Sequence, residues 1–115
     1  MNLSQKLPKK CILKKNDAFR EVIEKGNVWQ GKHIKVFFMK SDIAAVGFSI
    51  PRKFGTAVHR NRIKRLMRET YRKHRQDLPA FRMVLIPKER WDAMKYQDVD
   101  DEFIRFMRRK VKNDY

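Results

Sequence analysis

Between Pro51 and Arg75 the chain carries Arg52, Lys53, Arg60, Arg62, Lys64, Arg65, Arg68, Arg72, Lys73 and Arg75 against a single acid, Glu69. These 25 residues supply +9 of a formal net charge of +16, the whole 115-residue chain holding 29 Lys or Arg and 13 Asp or Glu. Arginine outnumbers lysine seven to three in this run. A guanidinium fork grips phosphate oxygens in pairs, where an ammonium meets them as a point charge. The chemistry on offer is therefore phosphate binding. A solvated helix face mixes signs so that residues four apart attract, whereas here like charges stand at those spacings and repel unless an anion screens them. A polyanionic partner, nucleic acid above all, is the reading this imbalance favours.

Catalysis by the chain itself finds little support in the same residues. A two-metal nuclease needs clustered carboxylates, and an acid–base nuclease needs a histidine with a partner. Asp98, Asp100, Asp101 and Glu102 are close in sequence, but they open a helix, where the dipole stabilises negative charge without a metal. Glu69 is expected to pair with Arg65 or Lys73, each four residues away. His33, His59 and His74 are far apart and identify no nucleophile, Cys11 has no evident histidine partner, and no phosphate-cradling glycine loop is present. The sequence points to no protein ligand for a metal.

These side chains must be positioned by a small number of elements. Ala57 to about Arg75 has a helical period, with Ile63, Leu66, Met67, Thr70 and Tyr71 along one face and Thr56 as its N-cap. At about 100° per residue, Asn61, Lys64, Arg65, Arg68, Arg72 and Arg75 fall on the opposite side. Upstream, a helix is expected from an Asn16 cap through Phe19, Val22 and Ile23 to Gly26. His33–Lys40 and Ala44–Ile50 read as strands of an antiparallel hairpin turning at Ser41-Asp42. In the first strand Ile34, Val36 and Phe38 share one face and Lys35, Phe37 and Met39 the other. Phe81–Ile86, bounded by Pro79 and Pro87, is a further strand; residues 88–97 read ambiguously, a short helix over Glu89–Met94 being one reading. A last helix opens on Asp98–Glu102, buries Val99, Phe103, Phe106, Met107 and Val111, and closes on Arg108, Arg109, Lys110 and Lys112.

Length and composition suit one α+β domain over residues 1–115, with residues 1–12 as a basic, partly ordered arm. A single cysteine is what a reducing compartment permits, and the longest apolar runs fall far short of the roughly 18–20 residues a membrane span needs. Met1–Lys6 lacks the apolar stretch of a signal peptide. A cytoplasmic location is expected.

The run Phe54-Gly55-Thr56-Ala57-Val58-His59-Arg60-Asn61-Arg62-Ile63-Lys64-Arg65-Leu66-Met67-Arg68-Glu69 closely resembles the signature of the bacterial ribonuclease P protein subunit. Leu13–Phe19 resembles that family's first-helix entry, and Val46–Ile50 with Arg52-Lys53 resembles its strand leading to the basic helix. The resemblance spans roughly residues 12–87. Thr56 stands where the family usually has Asn, and Ile23 where an aromatic residue is common.

The resemblance implies a protein that binds a large catalytic RNA and assists it in removing the 5′ leader from precursor tRNA. Hydrolysis would belong to the RNA and its divalent metal, Mg2+, held mainly by RNA oxygens. Arg60, Asn61, Arg62, Lys64, Arg65, Arg68 and Arg72 would contact the RNA subunit. Phe19, Ile23 and Phe37, with Lys53 and Arg90, would hold the single-stranded leader. Base stacking on aromatic faces beside a basic groove is a common way to hold such strands, although on the residues alone core packing is the favoured reading of Phe19 and Phe37, and plain solvent exposure that of Lys53 and Arg90. The implied topology is α-β-β-β-α-β-α, a two-layer α+β fold with a mixed sheet of three to four strands and a left-handed βαβ crossover, as in a domain of a ribosomal protein. It also implies a short strand near Asn27–Gly31. The alternative is a structural RNA-binding protein of the ribosomal type. A stand-alone endoribonuclease or a helix-turn-helix DNA regulator fits less well, the latter because strands flank the basic helix on both sides.

Overall fold

The shifts of apolar period along the chain become real elements in the computed structural model, which describes residues 12–13 and 17–111. Helix α1 (Asp17–Lys25) leads into strands β1 (Asn27–Gln30), β2 (Ile34–Lys40) and β3 (Ala45–Phe48). Helix α2 (Ala57–His74) then runs to β4 (Phe81–Pro87), and α3 (Tyr96–Phe106) continues into a π-helical turn, Met107–Val111. This is the α-β-β-β-α-β-α order, and β1 is the short strand expected near Asn27–Gly31. Residues 1–11 of the basic arm, including Cys11, the Asn16 cap and the extreme C-terminus lie outside the described residues.

The four strands form one mixed sheet in the order β1-β2-β4-β3. β2 is antiparallel to both β1 and β4, while β3 is parallel to β4. The expected hairpin between His33–Lys40 and Ala44–Ile50 is therefore wrong: β4 inserts between the two strands. The Ser41 amide donates to the Ala80 carbonyl at 2.8 Å, so the turn residues close the β2–β4 ladder. Local turn chemistry does not reveal this, because the preferred partner comes some forty residues later. β4 suits the central position, with Met83, Val84 and Leu85 buried in succession and hence apolar on both faces.

The main core lies between one sheet face and the two long helices. Ile34, Val36, Phe38, Val46, Phe48, Met83 and Leu85 meet Ile63, Met67 and Tyr71 of α2 and Phe103 and Phe106 of α3. On the opposite face α1 forms a smaller cluster from Phe19 and Val22 with Leu13, Ala45 and Val84. Thr56 caps α2 as expected, its hydroxyl accepting from the His59 amide at 3.2 Å. Gly55 has φ +135°, which side-chain-bearing residues rarely adopt, and this fixes the entry to the basic helix.

Two further expectations change. Glu89–Met94 forms no helix: Trp91 is 1% exposed with its indole N–H donating to the His33 carbonyl at 3.3 Å, and Arg62 of α2 donates to the Trp91 and Met94 carbonyls, so the loop is held by tertiary bonds. The acids of α3 also do more than oppose a dipole. Asp98 accepts from the Lys95 amide at 3.0 Å, but Asp100 and Glu102 are buried, 3% and 2% exposed. Glu102 Oε1 accepts from the amides of His33 (2.7 Å) and Ile34 (2.8 Å), tying α3 to the start of β2. Asp100 accepts from His74 Nε2 at 2.7 Å and from the Tyr96 hydroxyl at 3.2 Å.

Candidate nucleic-acid interface

Burial of Ile63, Met67, Thr70 and Tyr71 turns the basic side of α2 outward. Asn61, Arg65 and Arg68 are exposed and Lys64 is half-buried. Among the described residues no hydrogen bond or ion pair engages Lys64, Arg65 or Arg68. These three keep their full donor capacity for an external anion.

The other arginines of the run are committed. Arg60 Nε donates to the Gly55 carbonyl at 3.2 Å, bracing the first turn. Arg62 is turned toward the loop after β4, with Nη2 2.7 Å from the Met94 carbonyl and Nη1 3.4 Å from that of Trp91. Arg72 pairs with Glu69 three residues earlier and its side chain is only 16% exposed. That replaces the expected partners of Glu69, Arg65 and Lys73. The hydrogen bonds that the Arg72 guanidinium donates to Glu69, opposed by burial, hold it above its ordinary pKa.

Val58 escaped the sequence reading. It is 80% exposed in the first turn of α2, three residues before Asn61 and seven before Arg65. An apolar side chain therefore stands on the basic stripe. The signal was available in the helical period, which excludes Val58 from the face of Ile63 and Met67.

The opposite sheet face holds the second group of expected residues. Phe19 is 9% exposed, and its ring lies directly over Gly47, where a Cβ would stand 2.4 Å from Phe19 Cε2. Ile23 and Phe37, together with Met39 and Ile86, are only partly covered. Lys35 shares their face and lies opposite Ile86 in the β2–β4 ladder. An ion pair between Arg82 and Glu21 at 3.0 Å joins α1 to β4. The result is a partly covered apolar face beside α1 with the half-buried Lys35 along it.

Sheet register brings these parts toward one another. β3 and β4 run parallel with Phe48 opposite Leu85, and β2 begins there with Ile34 opposite Pro87. From that end emerge the 3-10 turn Arg52–Phe54, the start of α2 and the loop bearing Arg90. Lys53, whose Nζ lies 5.5 Å from the Phe54 ring centroid, is exposed there. Arg90 is exposed too, with Nε 3.2 Å from Asp92 Oδ1. One end of the sheet thus carries Lys35, Lys53, Arg90 and the Arg60–Arg62 turn.

Among the described residues no group of three or more His, Cys, Asp or Glu side chains converges as a metal site would. No helix among them is long and apolar enough to cross a membrane.

A family model described as Ribonuclease P matches residues 7–111. The chain is 37% identical over 100 residues to the ribonuclease P protein component of Natranaerobius thermophilus, covering 84% of this chain and 87% of that protein. Among solved structures it resembles the RNase P protein of Staphylococcus aureus, with a TM-score of 0.79, 26% identity, and coverage of 90% of this chain and 98% of that one. The RNase P protein of Thermotoga maritima gives a TM-score of 0.71 at 28% identity, covering 79% and 89%.

Proposed function

The chain belongs to the ribonuclease P protein family, and on that premise we propose that its α2 stripe binds the catalytic RNA while the apolar face beside α1 receives the precursor's 5′ leader. Lys64, Arg65 and Arg68 carry the first part. They are free of internal partners on a helix whose other face is buried, so phosphate contact costs no existing bond. Asn61 and Val58 extend that surface with an amide and an apolar contact, and Arg60 contributes from its braced turn. Arg62 and Arg72 act mainly from behind, one holding the loop and the other paired with Glu69.

On that face, Phe37 offers a partly exposed ring beside Lys35, with Ile23 on the facing helix. Phe19 supports it through Gly47. Lys53 and Arg90 attract the leader's backbone at the end of the sheet nearest α2. Two RNAs are thereby held on one small cationic body, which offsets the repulsion between their phosphates.

Cleavage is assigned to the RNA subunit with Mg2+, in the cytoplasm. The carboxylates of α3 do not fit a divalent ion: oxygens of Asp98, Asp100, Asp101 and Glu102 accept from Lys95, His74, Gln97 and the His33–Ile34 amides. Affinity for a bacterial ribonuclease P RNA tests the α2 assignment. Arg65→Ala with Arg68→Ala should weaken binding and make the salt dependence shallower by about two phosphate contacts. Unchanged affinity and slope would remove α2 from the interface.

A further inference from the structure

A concavity of about 520 Å³ lies between the β1 edge of the sheet and the end of α3, lined by Trp29, Gln30, Arg105, Arg108 and Arg109. We propose that it is a second RNA-binding site, taking an unpaired base against Trp29 and the adjoining phosphate on the three arginines.

The position separates it from both surfaces described above. β1 and β3 are opposite edges of the sheet, and the basic helix follows β3. Trp29 pairs with Val36, on the face covered by the long helices, whereas Phe37 lies on the other face.

The aromatic wall is already set. Trp29 is half-buried, and its ring meets that of Phe106 edge-on at 5.8 Å and 63°. Phe106 is fully buried. An indole braced in this way loses little freedom when a base stacks on it.

The cationic wall has no internal purpose. Arg105, Arg108 and Arg109 are exposed at i, i+3 and i+4, where like charges repel. Among the described residues none of the three has a hydrogen bond or ion pair. The dipole of α3 rationalises a basic residue near its C-terminus, but not three lining one concavity. The nearby acids are occupied: Asp101 accepts from Gln97 at 2.8 Å, and Glu102 is buried on the β2 amides. Arg108 and Arg109 also sit in the π-helical turn, a local widening often found at functional sites. Guanidinium forks beside a fixed ring match the two parts of a nucleotide, its phosphate and its base.

Intrinsic fluorescence of the full chain tests this directly. Trp91 is buried with its N–H engaged, so quenching by RNA reads Trp29. A short single-stranded oligoadenylate should quench saturably. Arg108→Gln with Arg109→Gln should weaken that titration by about tenfold, and Trp29→Phe should abolish the quenching. Arg65→Ala with Arg68→Ala should leave it intact, which separates this site from the α2 assignment. Separate titrations with ribonuclease P RNA and with precursor tRNA identify which molecule supplies the strand. Quenching that survives Trp29→Phe, is indifferent to the arginine changes, or is absent with all three RNAs would overturn the proposal.

Discussion

Arg62 Nη2 stands 2.7 Å from the Met94 carbonyl oxygen, joining the first turns of the basic helix to the loop after β4. An arginine at the centre of the basic run thus acts as a strut. Its removal should free residues 88–95 before it disturbs α2, because two loop carbonyls lose a charged donor.

Arg62→Ala is accordingly expected to lower stability by about 1–3 kcal/mol and to raise amide exchange in the loop selectively. Arg62→Lys should recover little, since a single ammonium cannot span two carbonyls as a fork does. Urea titration and hydrogen exchange would show this. Unchanged exchange in residues 88–95 would contradict the strut.

The two phenylalanines on the α1 side should behave differently. Phe19 is buried against Gly47, so Phe19→Ala should cost about 3–5 kcal/mol of stability. Phe37 is partly exposed, and Phe37→Ala should cost less while weakening precursor tRNA more than mature tRNA. Equal losses for the two RNAs would reduce Phe37 to packing. Gly47→Ala should also destabilise, by about 1–3 kcal/mol, because its methyl would displace the Phe19 ring.

Glu102 is a buried acceptor for two backbone amides. Glu102→Ala leaves both donors without a partner, for a loss of about 2–5 kcal/mol in a urea titration. Glu102→Gln keeps an acceptor oxygen and should lose less. Equivalent losses would show that the carboxylate charge, rather than the hydrogen bonds, holds α3 to β2.

Burial, reinforced by the Asp100 charge and hydrogen bond, pushes the Tyr96 hydroxyl up to about 12 from the ordinary 10.0. The folded chain therefore retains a proton that the unfolded chain releases. The resulting contribution to stability is complete below pH 10 and lost as pH rises toward 12. The stability advantage of the native chain over Tyr96→Phe should shrink across that window. A constant difference, measured by urea midpoints at each pH, would contradict the raised value.

Much of this arrangement is legible in the residue pattern, for definable reasons. The helical period from Ile63 to Tyr71, the Thr56 cap and the concentration of cations are local properties, and they place α2 and its outward face. Strand order is not local. Ala45–Phe48 and Ile34–Lys40 have the composition of hairpin partners, and only the two-sided burial of β4 decides that it comes between them. The arginines show the same division. Sequence spacing puts Arg72 and Arg65 on one stripe, but the partial burial of Arg72 beside Glu69 and the loop carbonyls within reach of Arg62 depend on tertiary packing. The buried roles of Asp100 and Glu102 were hidden because acids at a helix start already have a sufficient explanation in the dipole.

Precursor-tRNA cleavage at low magnesium, with protein alone, ribonuclease P RNA alone and the two combined, tests the central claim most directly. The account predicts efficient cleavage at the leader junction only in the combination, and a weaker gain with Arg65→Ala and Arg68→Ala. Cleavage by the protein alone, or a combination no better than the RNA alone, would contradict it.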